Sequence, residues 1–237
     1  MNRTMVAAHT GCGVHPDNTM ASFLEGMELG ADIVEVDVRA TRDGTAILLH
    51  DDSPYLLTHD FNQLNEPDVR KRLDPLYADY EIATLEQALK ASASRGTKLN
   101  LDLKSAAAIV PTVRLIRQYE AQNRAYITGC SDRMTELYPD IQVMMNTPDE
   151  LSPQQLLEYE QFAESVCLHA QKQGYVGLNM DARTCRKTMV ERAHFFGLKV
   201  WVYTVNRRQD MELCLEAGVD AITTRKPEIL LELLREC

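Results

Sequence analysis

A chain of 237 residues is long enough for one large single-cored domain, and α/β barrels commonly have this size, so length gives no reason to divide it. With 35 Asp and Glu against 25 Lys and Arg, its formal net charge of −10 disfavours nucleic acid or an anionic membrane surface as a partner. Cys12, Cys130, Cys167, Cys185, Cys214 and Cys237 lie far apart with no CxxC, which argues against a zinc knuckle or a disulfide scaffold and for reduced thiols in a cytoplasmic protein.

In chain order, the first apolar run, residues 4–9, predicts a strand that ends on His9. Two glycines and the turn Pro16-Asp17-Asn18-Thr19 lead from it to a helix over 18–29. Strands follow at 33–38, 98–103, 125–129, 141–145, 175–179, 199–204 and 220–224. Helical patterns fill the intervals at 84–94, 107–121, 131–138, 153–173, 182–196, 207–216 and 227–236. Thr84 with Gln87 forms a capping-box pattern, and Pro153 suits a first helical turn. Eight strands alternating with helices predict a (β/α)8 barrel of the TIM type.

One apolar run breaks the alternation. Residues 46–49 follow the turn Asp43-Gly44 too closely for a parallel crossover, so an extra antiparallel strand is expected there. The polar, weakly periodic stretch at about 53–82 predicts a small insertion within a single domain spanning 1–237. The N-terminus enters its first strand without an extended apolar segment, and no later run reaches membrane-spanning length, so a soluble, unexported protein is expected.

Glu35 and Asp37 are two residues apart on a predicted strand and so share a face. If Val34, Val36 and Val38 pack under the helices, both carboxylates point into the barrel, where charge cannot be left uncompensated. Asp102 adds a third carboxylate on another strand, with Lys104 on the same face. A hard divalent ion such as Mg²⁺ or Ca²⁺ suits three oxygen donors, while a metal-free Asp102–Lys104 ion pair is the simpler alternative. His9 and His50 close two strands and are candidates for general acid and base, since imidazole titrates near neutral pH. His15, His59, His169 and His194 have no comparable setting and read as structural or surface residues.

The stretches His9-Thr10-Gly11, Pro16-Asp17-Asn18-Thr19, Glu35-Val36-Asp37-Val38, Thr41-Arg42-Asp43-Gly44 and His50-Asp51 resemble, in order and spacing, the signature of the glycerophosphodiester phosphodiesterase family. The likeness continues in IATLEQAL (82–89), LDLK (101–104), VWVYTVN (200–206) and GVDAITTRKP (218–227). The resemblance implies a metal-dependent (β/α)8 barrel that hydrolyses small glycerophosphodiesters to glycerol 3-phosphate and an alcohol. Separately, the sequence offers no exposed basic or aromatic docking segment, so no stable membrane association is expected. By position it makes Glu35, Asp37 and Asp102 metal ligands, His9 and His50 the acid–base pair, Lys104 the neutraliser of the phosphate and Asn18 a neighbour of the site. It also suggests that Trp201 stacks against glycerol, whereas a core aromatic needs no such role.

Three positions depart from the family pattern. Thr10 stands where the family has arginine, Asp102 where it has glutamate, and Arg225 where it has aspartate. Arg225 is therefore a candidate to reach the phosphate in place of the arginine missing at position 10, or a solvated cation ahead of the last helix. A related barrel phospholipase and a non-catalytic barrel that binds an anionic metabolite are the alternative functions, and the oligomeric state is left open.

Overall fold

A computed structural model describes residues 3–236, and the thiol expected at Cys237 lies outside the described residues. Its strands are β1 (Met5–Ala8), β2 (Ile33–Ala40), β3 (Ala46–Leu48), β4 (Lys98–Leu103), β5 (Ala125–Gly129), β6 (Gln142–Asn146), β7 (Gly177–Asp181), β8 (Lys199–Tyr203) and β9 (Ala221–Thr224). Their hydrogen-bonded order, β1-β9-β8-β7-β6-β5-β4-β2-β3 with β1 also joined to β2, is that of a (β/α)8 barrel of eight parallel strands with β3 outside the ring. All eight expected barrel strands and the extra strand are present.

The chain forms two compact units. One is Thr10–Ser131, and the other joins the N-terminal strand through His9 to the stretch from Asp132 onward. In the second unit, Leu178, Met180, Val200, Val202 and Ile222 meet Met189, Val190 and Leu230 of the helices in a closed apolar layer.

In the Thr10–Ser131 unit, β2 pairs in parallel with β4, placing Glu35 beside Asn100 and Asp37 beside Asp102. Val34, Val36 and Val38 are fully buried, as are Leu99 and Leu101 on β4. Each such side chain contributes on the order of 1.5–3 kcal/mol relative to exposure. A one-residue slip of β2 would turn these valines away from their packing and drive the carboxylates among the helices, so hydrophobic burial fixes the direction of Glu35 and Asp37.

β3 returns antiparallel on β2, with Val38 opposite Leu48 and Ala40 opposite Ala46. The turn between them is closed by Thr41, whose N–H donates to Thr45 O at 3.0 Å, and Gly44 takes the left-handed φ of 75° there. The 53–82 stretch is not irregular. It forms short helices at Tyr55–Thr58, Phe61–Leu64 and Pro67–Arg70 and a 3-10 turn at Pro75–Ala78. Single turns are too short to show periodicity or to hold alone; here Leu56, Leu64 and Tyr77 pack with Ile47, Leu49 and Ile82.

Most helices fall where expected, with shortened ends. Only Met134–Leu137 of 131–138 is helical, the 153–173 helix breaks at Glu158, and the 182–196 helix starts at Lys187. The five cysteines among the described residues are free thiols. No helix among the described residues is long and apolar enough to cross a membrane.

Candidate metal centre

The site of the Thr10–Ser131 unit is built on one face of the neighbouring parallel strands β2 and β4. Glu35, Asp37 and Asp102 each offer an oxygen within 4.8 Å of the others, and the first two are buried. Lys104 spans the pair of aspartates, with its Nζ 2.8 Å from Asp37 Oδ1 and 2.5 Å from Asp102 Oδ2. The ion pair that is the alternative to a metal centre therefore exists within it: one ammonium serves two of three carboxylates.

That leaves an excess of negative charge. Burial, then the charges of Asp37 and Asp102, push the Glu35 carboxyl well above the usual carboxylate range, against the opposing pull of the Thr10 N–H and Lys104. Burial also opposes the charge on Lys104, but Asp102 and Asp37 outweigh it and hold the ammonium above its ordinary range. Three hard oxygen donors at this spacing, under-compensated by cations, fit a divalent ion.

Each carboxylate is aimed by neighbours. Glu35 Oε2 accepts from the Thr10 N–H at 2.8 Å. Thr10 sits at a left-handed φ of 52°, and the following Gly11 packs against the backbone of Ser22 and Phe23 so closely that a Cβ would lie 2.7 Å from Phe23 N. The Thr10 carbonyl in turn accepts from the Ser22 hydroxyl at 3.0 Å. The loop after His9 is thereby pinned to the first helix, Met20–Glu28, which Thr19 caps.

Asn18 is a neighbour of the site, and both ends of its amide are engaged by Asp37. Its Nδ2 donates to Asp37 Oδ2 at 2.7 Å, and its Oδ1 accepts from the Asp37 N–H at 3.0 Å. Its φ of 59° is one that Asn tolerates better than most residues. Asp102 is bounded by β5: the Thr128 hydroxyl lies 2.9 Å from Asn100 Oδ1 and 3.4 Å from Asp102 Oδ1. Any side chain at Gly129 would strike the Asp102 carboxylate. Sequence reasoning missed Asn100, Thr128 and Gly129. The i, i+2 spacing of Asn100 from Asp102 was readable, whereas the approach of β5 was not.

His50 lies just beyond β3, its side chain 66% exposed, with Nδ1 2.7 Å from Asp51 Oδ1. Arg39, two residues past Asp37 on β2, donates from Nε to the His50 carbonyl at 2.8 Å. His9 opens the 3-10 turn His9–Gly11, directly before Thr10. Trp201 is fully buried on β8, between Val200 and Val202 of the apolar layer. Arg225 is exposed ahead of the last helix, and its N–H donates to Asn206 Oδ1 at 2.8 Å. Among the other histidines, His15 lies 3.2 Å from the Tyr80 hydroxyl and His194 2.9 Å from Asp220.

Comparison with known proteins gives one consistent answer. A glycerophosphodiester phosphodiesterase of Caldanaerobacter subterraneus subsp. tengcongensis is 27% identical over 252 residues, covering 99% of both chains. Among solved structures, a phosphodiesterase of Oleispira antarctica in complex with the product sn-glycerol-3-phosphate aligns over 99% of this chain and 98% of its own, with TM-score 0.78 and 20% identity. A glycerophosphodiester phosphodiesterase of Thermotoga maritima aligns over 98% and 99%, with TM-score 0.78 and 19% identity. These structures share the fold. The family model of the Glycerophosphoryl diester phosphodiesterase family matches residues 9–229, and the chain belongs to that family.

Proposed function

We propose that this protein hydrolyses small glycerophosphodiesters to glycerol 3-phosphate and an alcohol, with Mg²⁺ or Ca²⁺ held by Glu35, Asp37 and Asp102. The observation that carries the reading is the under-compensated cluster of these three carboxylates in a chain of this family. A bound divalent ion would supply Lewis-acid polarisation of the phosphoryl oxygens.

The remaining roles fall to the chain's own side chains. Lys104, fixed by Asp37 and Asp102, adds positive charge against the phosphate. His9 and His50 divide the proton work, one drawing a proton from the nucleophile and the other protonating the departing alcohol. With Asp51 at its Nδ1, His50 is oriented so that Nε2 is the atom that takes or gives the proton. Trp201 and Arg225 complete the proposed contacts, the first to glycerol and the second to phosphate. The reading takes residues 1–237 as one cytoplasmic barrel domain whose insertion shapes the alcohol pocket.

The test is release of glycerol 3-phosphate from a panel of glycerophosphodiesters with Mg²⁺, with Ca²⁺ and with EDTA, alongside His9→Ala, His50→Ala and Asp37→Ala. Metal-dependent release that each substitution abolishes is expected. A folded protein that binds the ion yet releases nothing under either metal would instead be a binding barrel.

A further inference from the structure

Charge balance at the carboxylate cluster leads to a residue outside it. Three carboxylates against the single ammonium of Lys104 leave two formal negative charges, which a divalent ion cancels. A phosphodiester brings a further negative charge, so its binding calls for another cation. The residue after His9, Thr10, is uncharged, and its N–H is engaged by Glu35.

Arg39 is placed to meet that need. Side chains alternate along a strand, so Glu35, Asp37 and Arg39 project from one face of β2, with Arg39 about 7 Å further toward the strand's C-terminal end. Active sites of this fold gather at that end of the strands. The side chain is 12% exposed, and its Nε is tied to the His50 carbonyl at 2.8 Å, which holds the guanidinium beside the segment carrying a proposed acid–base residue. Its acidic partner is weak: Asp52 Oδ1 lies 3.4 Å from Nη1 and is 83% exposed, a pair that solvent screens and an anion can replace. A planar guanidinium suits phosphate oxygens, which it can engage with two parallel N–H groups.

We propose that Arg39 is a substrate-binding residue whose guanidinium exchanges Asp52 for the phosphate of the diester. The assignment rests on the function proposed above and adds to it a phosphate contact borne by β2.

The test is calorimetric titration of sn-glycerol 3-phosphate into the Mg²⁺-loaded protein, with Mg²⁺ binding measured separately for each variant. Arg39→Gln weakens the product's Kd by about tenfold or more, Arg39→Lys less, and both leave the Mg²⁺ Kd within about twofold. Asp52→Ala releases the guanidinium from its competitor and tightens the product by about twofold to fivefold. This last arm separates a phosphate contact from a brace: if Arg39 only buttresses the His50 segment, removing Asp52 weakens binding or leaves it unchanged. Unchanged product affinity in Arg39→Gln, or an Asp52→Ala protein that binds the product no more tightly than wild type, overturns the assignment. If the wild-type protein binds Mg²⁺ but not the product, while Lys104→Gln is equally inert, the functional reading fails and takes this inference with it.

Discussion

Asn18→Gly isolates what the Asn18 amide does for Asp37. Glycine accepts the native φ of 59° without a steric penalty, so the substitution removes the side chain while leaving the loop free to keep its path. Two interactions go with it. The hydrogen bond from Nδ2 to the Asp37 carboxylate at 2.7 Å is of the charge-assisted kind, worth about 1.5–3 kcal/mol. The Asp37 N–H, satisfied at 3.0 Å by Oδ1, is left without that acceptor inside the protein, at about 1–3 kcal/mol. The lower part of these ranges sums to roughly 3 kcal/mol, which for a chain of this size lowers Tm by roughly 6–12 °C. Asn18→Ala falls further, by about 1 kcal/mol, because alanine must hold a left-handed conformation. Losing the orientation of a metal ligand also weakens divalent-ion affinity by about tenfold to a hundredfold. Thermal melts across a Mg²⁺ titration read both quantities. An Asn18→Gly protein that melts within about 2 °C of wild type and keeps its ion affinity within about twofold would refute the reasoning.

Other substitutions test neighbouring parts of the site and its loops. Gly11→Ala forces a Cβ against Phe23 N at 2.7 Å and a φ of 89°, so Tm should drop by at least about 5 °C, and a wild-type melt would show that the loop is not pinned as described. Burial is the largest single influence on Asp43 and opposes its ionisation, but hydrogen bonds from Thr41, Thr45 and the Phe61 N–H together outweigh it and hold the carboxyl below its ordinary range. Its stabilising effect is therefore present above the unfolded-state value and disappears as pH falls through the lower folded-state value. Asp43→Ala should cost about 1 kcal/mol at pH 7, with the gap to wild type closing in urea melts as pH falls below the ordinary carboxylate range; a gap constant with pH would contradict this. Arg225→Ala should raise KM for the diester several-fold with little change in Tm if Arg225 touches phosphate, and an unchanged KM would remove it from the substrate contacts.

Legible from the chain alone was whatever depends on spacing along it. Alternation on β2 placed Glu35 and Asp37 on one face because Val34, Val36 and Val38 demand burial on the other. The period of strands and helices gave the barrel, and the short Asp43-Gly44 turn gave the antiparallel β3. The short helices of the insertion were hidden, since a single turn carries no period and forms only where Leu56, Leu64 and Tyr77 find Ile47, Leu49 and Ile82.

The tertiary structure decided which groups meet. That one ammonium serves both Asp37 and Asp102, that Asn18 is engaged with Asp37 at both ends of its amide, and that Gly129 is where Asp102 needs room all depend on contacts between segments distant in sequence. So does the placing of Arg39 against His50, eleven residues away, across the β2–β3 turn. Periodicity fixes the direction of a side chain, because it follows from local backbone geometry. Partners are fixed only by strand register and loop closure, which no single segment encodes.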